Sequence, residues 1–325
     1  VLENQIGTDA VMREIALFSI EKVKELAYTD AVDELYRLFT EETETSIRIP
    51  LLQAIGAAGV GDAQTVEYLN AWISAQNNSF KAGSAPNLQV FEAAVIALGK
   101  LKDPSSFPVL LTCRLLQYSG SISKAAEEAL FGLEGDLLEL SLNYLKNADI
   151  QDMEKAVDFF LQSDQYSSDD KVALADAALR RAVSVRAAEQ AETAVLRRIR
   201  RKTVEVLRNN MAGESTKPVI IHFNMTVDEY ERGFVTKSQL LEAIAALGAM
   251  GTDEAAERLS DYLDVLNNYT ENIRPYDTQI MLAVVKNLNQ LGKMAAYNSL
   301  LYASFLDYPN TVKTEIRNAL KNLAN

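Results

Sequence analysis

The sequence predicts an all-α chain of stacked helix pairs, in two blocks joined by an irregular middle segment. Three observations carry this. Apolar residues recur at three- and four-residue spacings, short turns containing Gly or Pro separate the runs, and the runs repeat along the 325 residues. A hydrophobic share of 48% and a charged share of 24% are those of a folded chain and exclude global disorder. With only 14 glycines and 7 prolines, long segments stay regular without interruption.

The elements follow in order. LLQAIGAAGVGDAQTVEYLNAWI, from Leu51, reads as helix, glycine turn, helix. FEAAVIALGKLKDPSSFPVLLTCRLL, from Phe91, reads the same way, with a sharp turn at Asp103-Pro104 and proline tolerated where the next helix starts. Phe91, Ala94, Val95, Leu98 and Leu101 form one apolar stripe. In ISKAAEEALFGLEGDLLELSLNYL the residues Ile122, Ala125, Ala126, Ala129, Leu130 and Leu133 are expected to face inward. The scheme returns in LLEAIAALGAMGTDEAAERLSDYL, from Leu240, and QIMLAVVKNLNQLGKMAAYNSLLYA, from Gln279. Equivalent leucines Leu247 and Leu288 lie 41 residues apart, and Leu98 and Leu130 lie 32 apart. The expected division is 1–149, 150–236 and 237–325.

ALGKLKDPSSFPVLL, ISKAAEEALFGL and AIAALGAMGTDEAAERL resemble HEAT repeats, in particular the bacterial HEAT-like or phycobilisome-lyase-like class. The resemblance covers about 47–146 and 237–323. It implies a right-handed α-solenoid of HEAT-like helix pairs whose curved surface holds another protein. On that reading the chain is a non-catalytic scaffold or adaptor without a cofactor. The alternative it implies is a lyase-like accessory protein with a small ligand in the groove.

A longer period lies above the helix pairs. Asn77-Asn78 and Asn267-Asn268 are 190 residues apart, as are Leu98 and Leu288. Each Asn pair is expected to open a polar loop, Ser79 to Asn87 and Tyr269 to Asp277 (through Pro275). Duplication of a larger block explains this better than chance.

Residues 150–212 depart from the repeat. Ser167, Ser168 and Asp169 are capping candidates for a helix. Leu179, Val183, Ala187, Ala191, Val195, Ile199, Thr203 and Leu207 then recur every four residues. This is either one helix of about 58 Å or a hairpin broken near Ser184, and the break is favoured. PVIIHFN, from Pro218, reads as a short strand or extended connector.

Charge is segregated as well. Residues 171–210 hold ten Lys/Arg and four Asp/Glu, a net of +6 in a chain of net −13, which leaves −19 elsewhere. Arg197, Arg198, Arg200, Arg201 and Lys202 are therefore candidate partner contacts. They could solvate a helix face and pair with Glu189, Glu192 and Glu205. They could dock on acidic surface, the chain's own repeats included, or meet an anionic polymer or membrane. Tyr269 and Tyr276 are further candidates, because tyrosine combines apolar area with a polar tip.

Several chemistries are opposed. One histidine, His222, rules out multi-His metal sites, and one cysteine, Cys113, rules out Cys-based zinc sites. His222 is expected to be structural or surface, and Cys113 a buried small hydrophobe. A sequence pI near 4.7 opposes nucleic acid as a partner. No phosphate-loop or dinucleotide glycine motif occurs. No run of 18 apolar residues is present, so no transmembrane helix is expected. The start, VLENQIG, has no Met or leader, which implies upstream removal and leaves the compartment, cytoplasmic or exported, open.

Overall fold

The computed structural model describes residues 10–272 and 276–324, all helices, turns and loops. The VLENQIG start and Pro275 lie outside the described residues. Two compact units divide at Tyr144/Leu145.

The first unit contains α1 (Ala10–Leu26), α2 (Val32–Glu41), α3 (Thr45–Ala58), α4 (Ala63–Lys81), α5 (Leu88–Leu101), α6 (Phe107–Leu116) and α7 (Gly120–Phe131). The division falls within α8 (Leu137–Asn147). In this unit α1, α3, α5 and α7 pack in sequence as one row, and α2, α4 and α6 form a second row. The stripe Phe91, Ala94, Val95, Leu98 and Leu101 is buried between them. Gly56 lets α3 and α5 approach closely within their row: a Cβ there would lie 2.8 Å from the Ala97 Cα.

The second unit adds α9 (Ile150–Gln162), α10 (Ser168–Ser184), α11 (Gln190–Asn209), α12 (Thr216–Glu231), α13 (Lys237–Gly248), α14 (Asp253–Glu271), α15 (Thr278–Leu291), α16 (Tyr297–Phe305) and α17 (Asn310–Leu323). Odd-numbered helices again form one row and even-numbered helices the other. One apolar core runs from Ala175 through Leu247 to Ala319. Each unit thus packs its helices as a helical-repeat solenoid does, every pair burying its apolar face on its neighbours.

The duplication extends further than the sequence period indicates. From α4 onward the offset is 190: α4 begins at Ala63 and α14 at Asp253, α5 at Leu88 and α15 at Thr278. Asn87 and Asp277 cap these helices alike, each accepting from the backbone N–H two and three residues on. Lys102 (φ 54) and Gly292 (φ 61) end α5 and α15 in the same left-handed conformation.

Before α3 the offset is 184. Ala27 (φ 47) corresponds to Met211 (φ 49), and the short turn Thr29–Ala31 to Gly213–Ser215. The Ser19 and Thr203 hydroxyls each donate to the carbonyl four residues back, at 2.8 Å. Phe39 meets Trp72 edge-on at 5.2 Å, and Phe223 meets Tyr262 likewise at 5.4 Å. So α1–α7 and α11–α17 are two copies of one seven-helix frame.

Two expectations change and a third holds. PVIIHFN is neither strand nor extended connector but part of α12. Its buried residues Val219, His222, Phe223, Thr226 and Glu229 follow a helical period. Three of them are polar, which hid the stripe within the apolar seven-residue window. The Asn pairs do not open loops, because α4 and α14 continue to Lys81 and Glu271. The middle segment breaks after Ser184, as favoured.

The helices run past the Asn pairs because Asn77 and Asn267 are buried and bonded. Tyr118 donates its hydroxyl to Asn77 Oδ1 and Tyr308 to Asn267 Oδ1, both at 2.8 Å. Asn267 Nδ2 also donates to the Ser299 carbonyl at 3.3 Å. Asn267→Ala is expected to cost about 1–3 kcal/mol in chemical denaturation, because it removes the acceptor of the Tyr308 hydroxyl and the donor to the Ser299 carbonyl. A loss within error of zero would mean that water replaces the amide. Cys113 is buried, as expected, and burial pushes its thiol up to about 12.

Candidate functional site

The basic block lies on α11, whose apolar stripe Val195, Leu196, Ile199, Thr203, Val204 and Leu207 is buried. The stripe fixes the directions of the cations between its members. Arg200 turns inward and is 2% exposed. Its Nη2 donates to Glu229 Oε1 at 2.8 Å and Oε2 at 2.9 Å, and its Nη1 meets the Met225 sulfur at 2.8 Å. Arg197 places Nε 3.0 Å from the same Glu229 Oε1, an ion pair not aligned as a hydrogen bond, and lies over the Phe234 ring. One carboxylate on α12 therefore receives two guanidiniums.

The other three cations point toward neighbouring odd-row helices. Arg198 donates to both Glu154 oxygens, at 2.6 and 2.8 Å. That hydrogen-bonded guanidinium holds the Glu154 carboxyl below the usual carboxylate range, with Lys202 adding to the effect. Lys202 contacts both Asp158 oxygens at 2.6 Å. Arg201 reaches Glu242 on α13 more loosely, at 3.2 and 3.3 Å. The acidic partners are thus Glu154, Asp158, Glu229 and Glu242, not Glu189, Glu192 or Glu205. Glu205 follows Arg201 in the weaker i,i+4 order, and Glu192 instead accepts from the Ala188 backbone N–H at 2.7 Å.

A cleft of about 370 Å³ opens between α11 and α13 beside this block. Arg198, Arg201, Lys202, Glu205 and Arg208 line it from one face of α11, and Gln239, Glu242, Ala243 and Ala246 from one face of α13. The two alanines leave the space open. His222 of α12 also lines it, 4% exposed, with Nδ1 buried and without a hydrogen-bond partner. Burial, with Arg200 and Arg201 nearby, lowers the imidazole to about 3, so it is neutral at pH 7.

Tyr269 and Tyr276 lie elsewhere in the unit. Tyr269 sits in the last turns of α14 rather than in a loop, and Tyr276 packs edge-on to Tyr308 at 5.3 Å before α15. Neither is among the residues lining the cleft. The sequence singled out neither Glu229, Arg208, Gln239 nor Glu242, and it placed His222 in an extended run. A 3.6-residue period counted over the whole of 216–231 is the signal that finds His222 and Glu229 together.

Two rows of paired helices, repeated as a seven-helix frame, define a helical-repeat protein. Residues 240–264 match the PBS lyase HEAT-like repeat, so the chain carries a repeat of the HEAT-like family at α13–α14. Curated proteins show no match to the chain. A solved structure from the computational design of self-assembling cyclic protein homooligomers is 12% identical. It aligns over 96% of this chain and 97% of its own with a TM-score of 0.14, too low to carry an argument. Among the described residues, no helix is long and apolar enough to cross a membrane.

Proposed function

We propose that the protein is a non-catalytic scaffold that holds another protein on the exposed face of its helix rows. A difference between the two copies of the frame carries this reading. On α11, which packs against α9 and α10, Ile199 is fully buried. Its counterpart on α1, Ile15, is 40% exposed, and Phe18, the counterpart of Lys202, is 65% exposed. Apolar side chains one helical turn apart, on a face that the second copy covers with helices, suit a helical surface of a partner. In the second unit Arg198, Arg201 and Lys202 belong to the proposed contact surface, with Tyr269 and Tyr276 as a second patch. Arg197 and Arg200 act there as internal braces.

Benzoylphenylalanine at Phe18 is expected to cross-link a second protein on illumination in cells, and the same group at Glu67, an exposed position on α4, is expected not to. Adducts confined to the same chain, or equal adducts at both positions, would remove the scaffold reading. The alternative, an accessory protein with a small ligand in its groove, draws on a different observation, the open α11–α13 cleft.

A further inference from the structure

The α11–α13 cleft holds more hydrogen-bond donors than its own acceptors use. Arg198 and Lys202 are committed to Glu154 and Asp158. Arg201 has only the loose contact with Glu242. Arg208 reaches the Asn209 amide oxygen at 3.4 Å and has no carboxylate partner among the described residues. The Gln239 carboxamide oxygen accepts from the Thr236 backbone N–H at 2.8 Å, which leaves the amide N–H pair for the cleft. His222 is sealed in the wall with Nδ1 unpartnered. Four cations against Glu205 and Glu242 give the lining a net charge of +2, within a chain of net −13.

The first copy of the frame shows that much of this is not needed for packing. At the 184 offset, Arg198, Arg201 and Lys202 correspond to Glu14, Leu17 and Phe18, and His222 to the buried Leu38. The frame builds with an apolar residue where the second copy has a buried imidazole. Arg208 corresponds to Lys24, so the additions specific to the second copy are Arg198, Arg201, Lys202 and the histidine.

We propose that this cleft binds a phosphate monoester, with Arg201, Arg208 and Gln239 donating to the phosphate oxygens and the ester group lying beside Ala243 and Ala246. Guanidinium forks match a phosphate's several oxygens, and the volume exceeds that of a bare anion. A neutral imidazole in the wall adds hydrogen-bonding capacity without repelling the neighbouring arginines. The site shares Arg198, Arg201 and Lys202 with the proposed contact surface, but it rests on the cleft and not on the exposed apolar face of α1 that carries the scaffold reading.

The chain has one histidine, so its ring ¹⁵N signals report His222 alone. Phenyl phosphate added to the full chain at constant ionic strength is expected to shift them saturably. Arg208→Gln, which breaks no ion pair, is expected to weaken binding about tenfold or more with an unchanged circular dichroism spectrum. Gln239→Glu is expected to weaken it too, because the retained carboxyl oxygen can still cap α13 while the donors are lost. Inorganic phosphate and phosphatidate vesicles form two further arms. Arg208-dependent pelleting with the vesicles assigns the phosphate to a lipid headgroup, and saturation by phenyl phosphate without pelleting assigns it to a soluble molecule. No saturable shift and no pelleting, or equal binding by Arg208→Gln, would overturn the site.

Discussion

Glu229→Ala is expected to destabilise the α11–α12 region by about 3–5 kcal/mol, the range for removing one partner of a buried ion pair. Arg200 is 2% exposed, and both of its carboxylate contacts are to Glu229. Its Nε is already without a hydrogen-bond partner. Removing the carboxylate leaves one guanidinium buried and uncompensated and a second, Arg197, without its counter-charge. Losing the charge and losing the shape can be separated. Glu229→Gln keeps an acceptor and is expected to cost less than Glu229→Ala. Arg200→Met with Glu229→Leu removes both charges at similar volume and is expected to recover most of the loss. The first copy supports that recovery, because Ala16 occupies the Arg200 position there and is buried without any charge. Amide hydrogen exchange across α11 and α12 measures the local opening energy of each variant. A loss under about 1 kcal/mol for Glu229→Ala would show that water reaches Arg200 and that the pair is effectively exposed.

That pair also shows which parts of the molecule were legible in the sequence. The helix pairs, their glycine turns and the 190-residue period follow from apolar spacing, because each of those helices buries aliphatic residues on one face. The middle was harder to read. α12 places His222, Thr226 and Glu229 on its buried face, so a pattern that counts only apolar residues breaks down there. The seven-residue run PVIIHFN, rich in β-branched residues, then mimics a strand. Asn77 and Asn267 misled for the same reason: Asn-Asn signals a turn unless each amide has a buried partner, and Tyr118 and Tyr308 are 41 residues farther along. The basic block was visible as composition. Its partners were not, since Glu154, Asp158, Glu229 and Glu242 come from three other helices and from 29 to 44 residues away. The equivalence of α1–α2 with α11–α12 needed backbone geometry, because the side chains on the two have diverged from Glu14, Leu17 and Phe18 to three cations.

His222 is expected to make the protein lose stability between pH 6.5 and 3, and His222→Leu is expected to remove that loss. The folded-state value is lowered from 6.5 to about 3, by burial first and by Arg200 and Arg201 next. In this window the unfolded chain binds a proton that the folded chain does not. Stability therefore falls as pH falls, by about 1.4 kcal/mol per unit, and is unaffected above pH 6.5. At pH 5 the difference from pH 7 comes to roughly 2 kcal/mol for this one group. Carboxylates held low by their partners, such as Glu154, add a slope of the same sign, but only nearer pH 4 and below. Comparing pH 7 with pH 5 thus isolates the imidazole. Leucine is the informative replacement because Leu38 fills the equivalent position of the first copy, fully packed at 2% exposure. The wild type and His222→Leu should differ little in stability at pH 7 and by about 2 kcal/mol more at pH 5, measured without phosphate and with the same buffer anion at both pH values. Parallel pH profiles for the two proteins would mean that His222 protonates in place, so that the wall beside the cleft admits water.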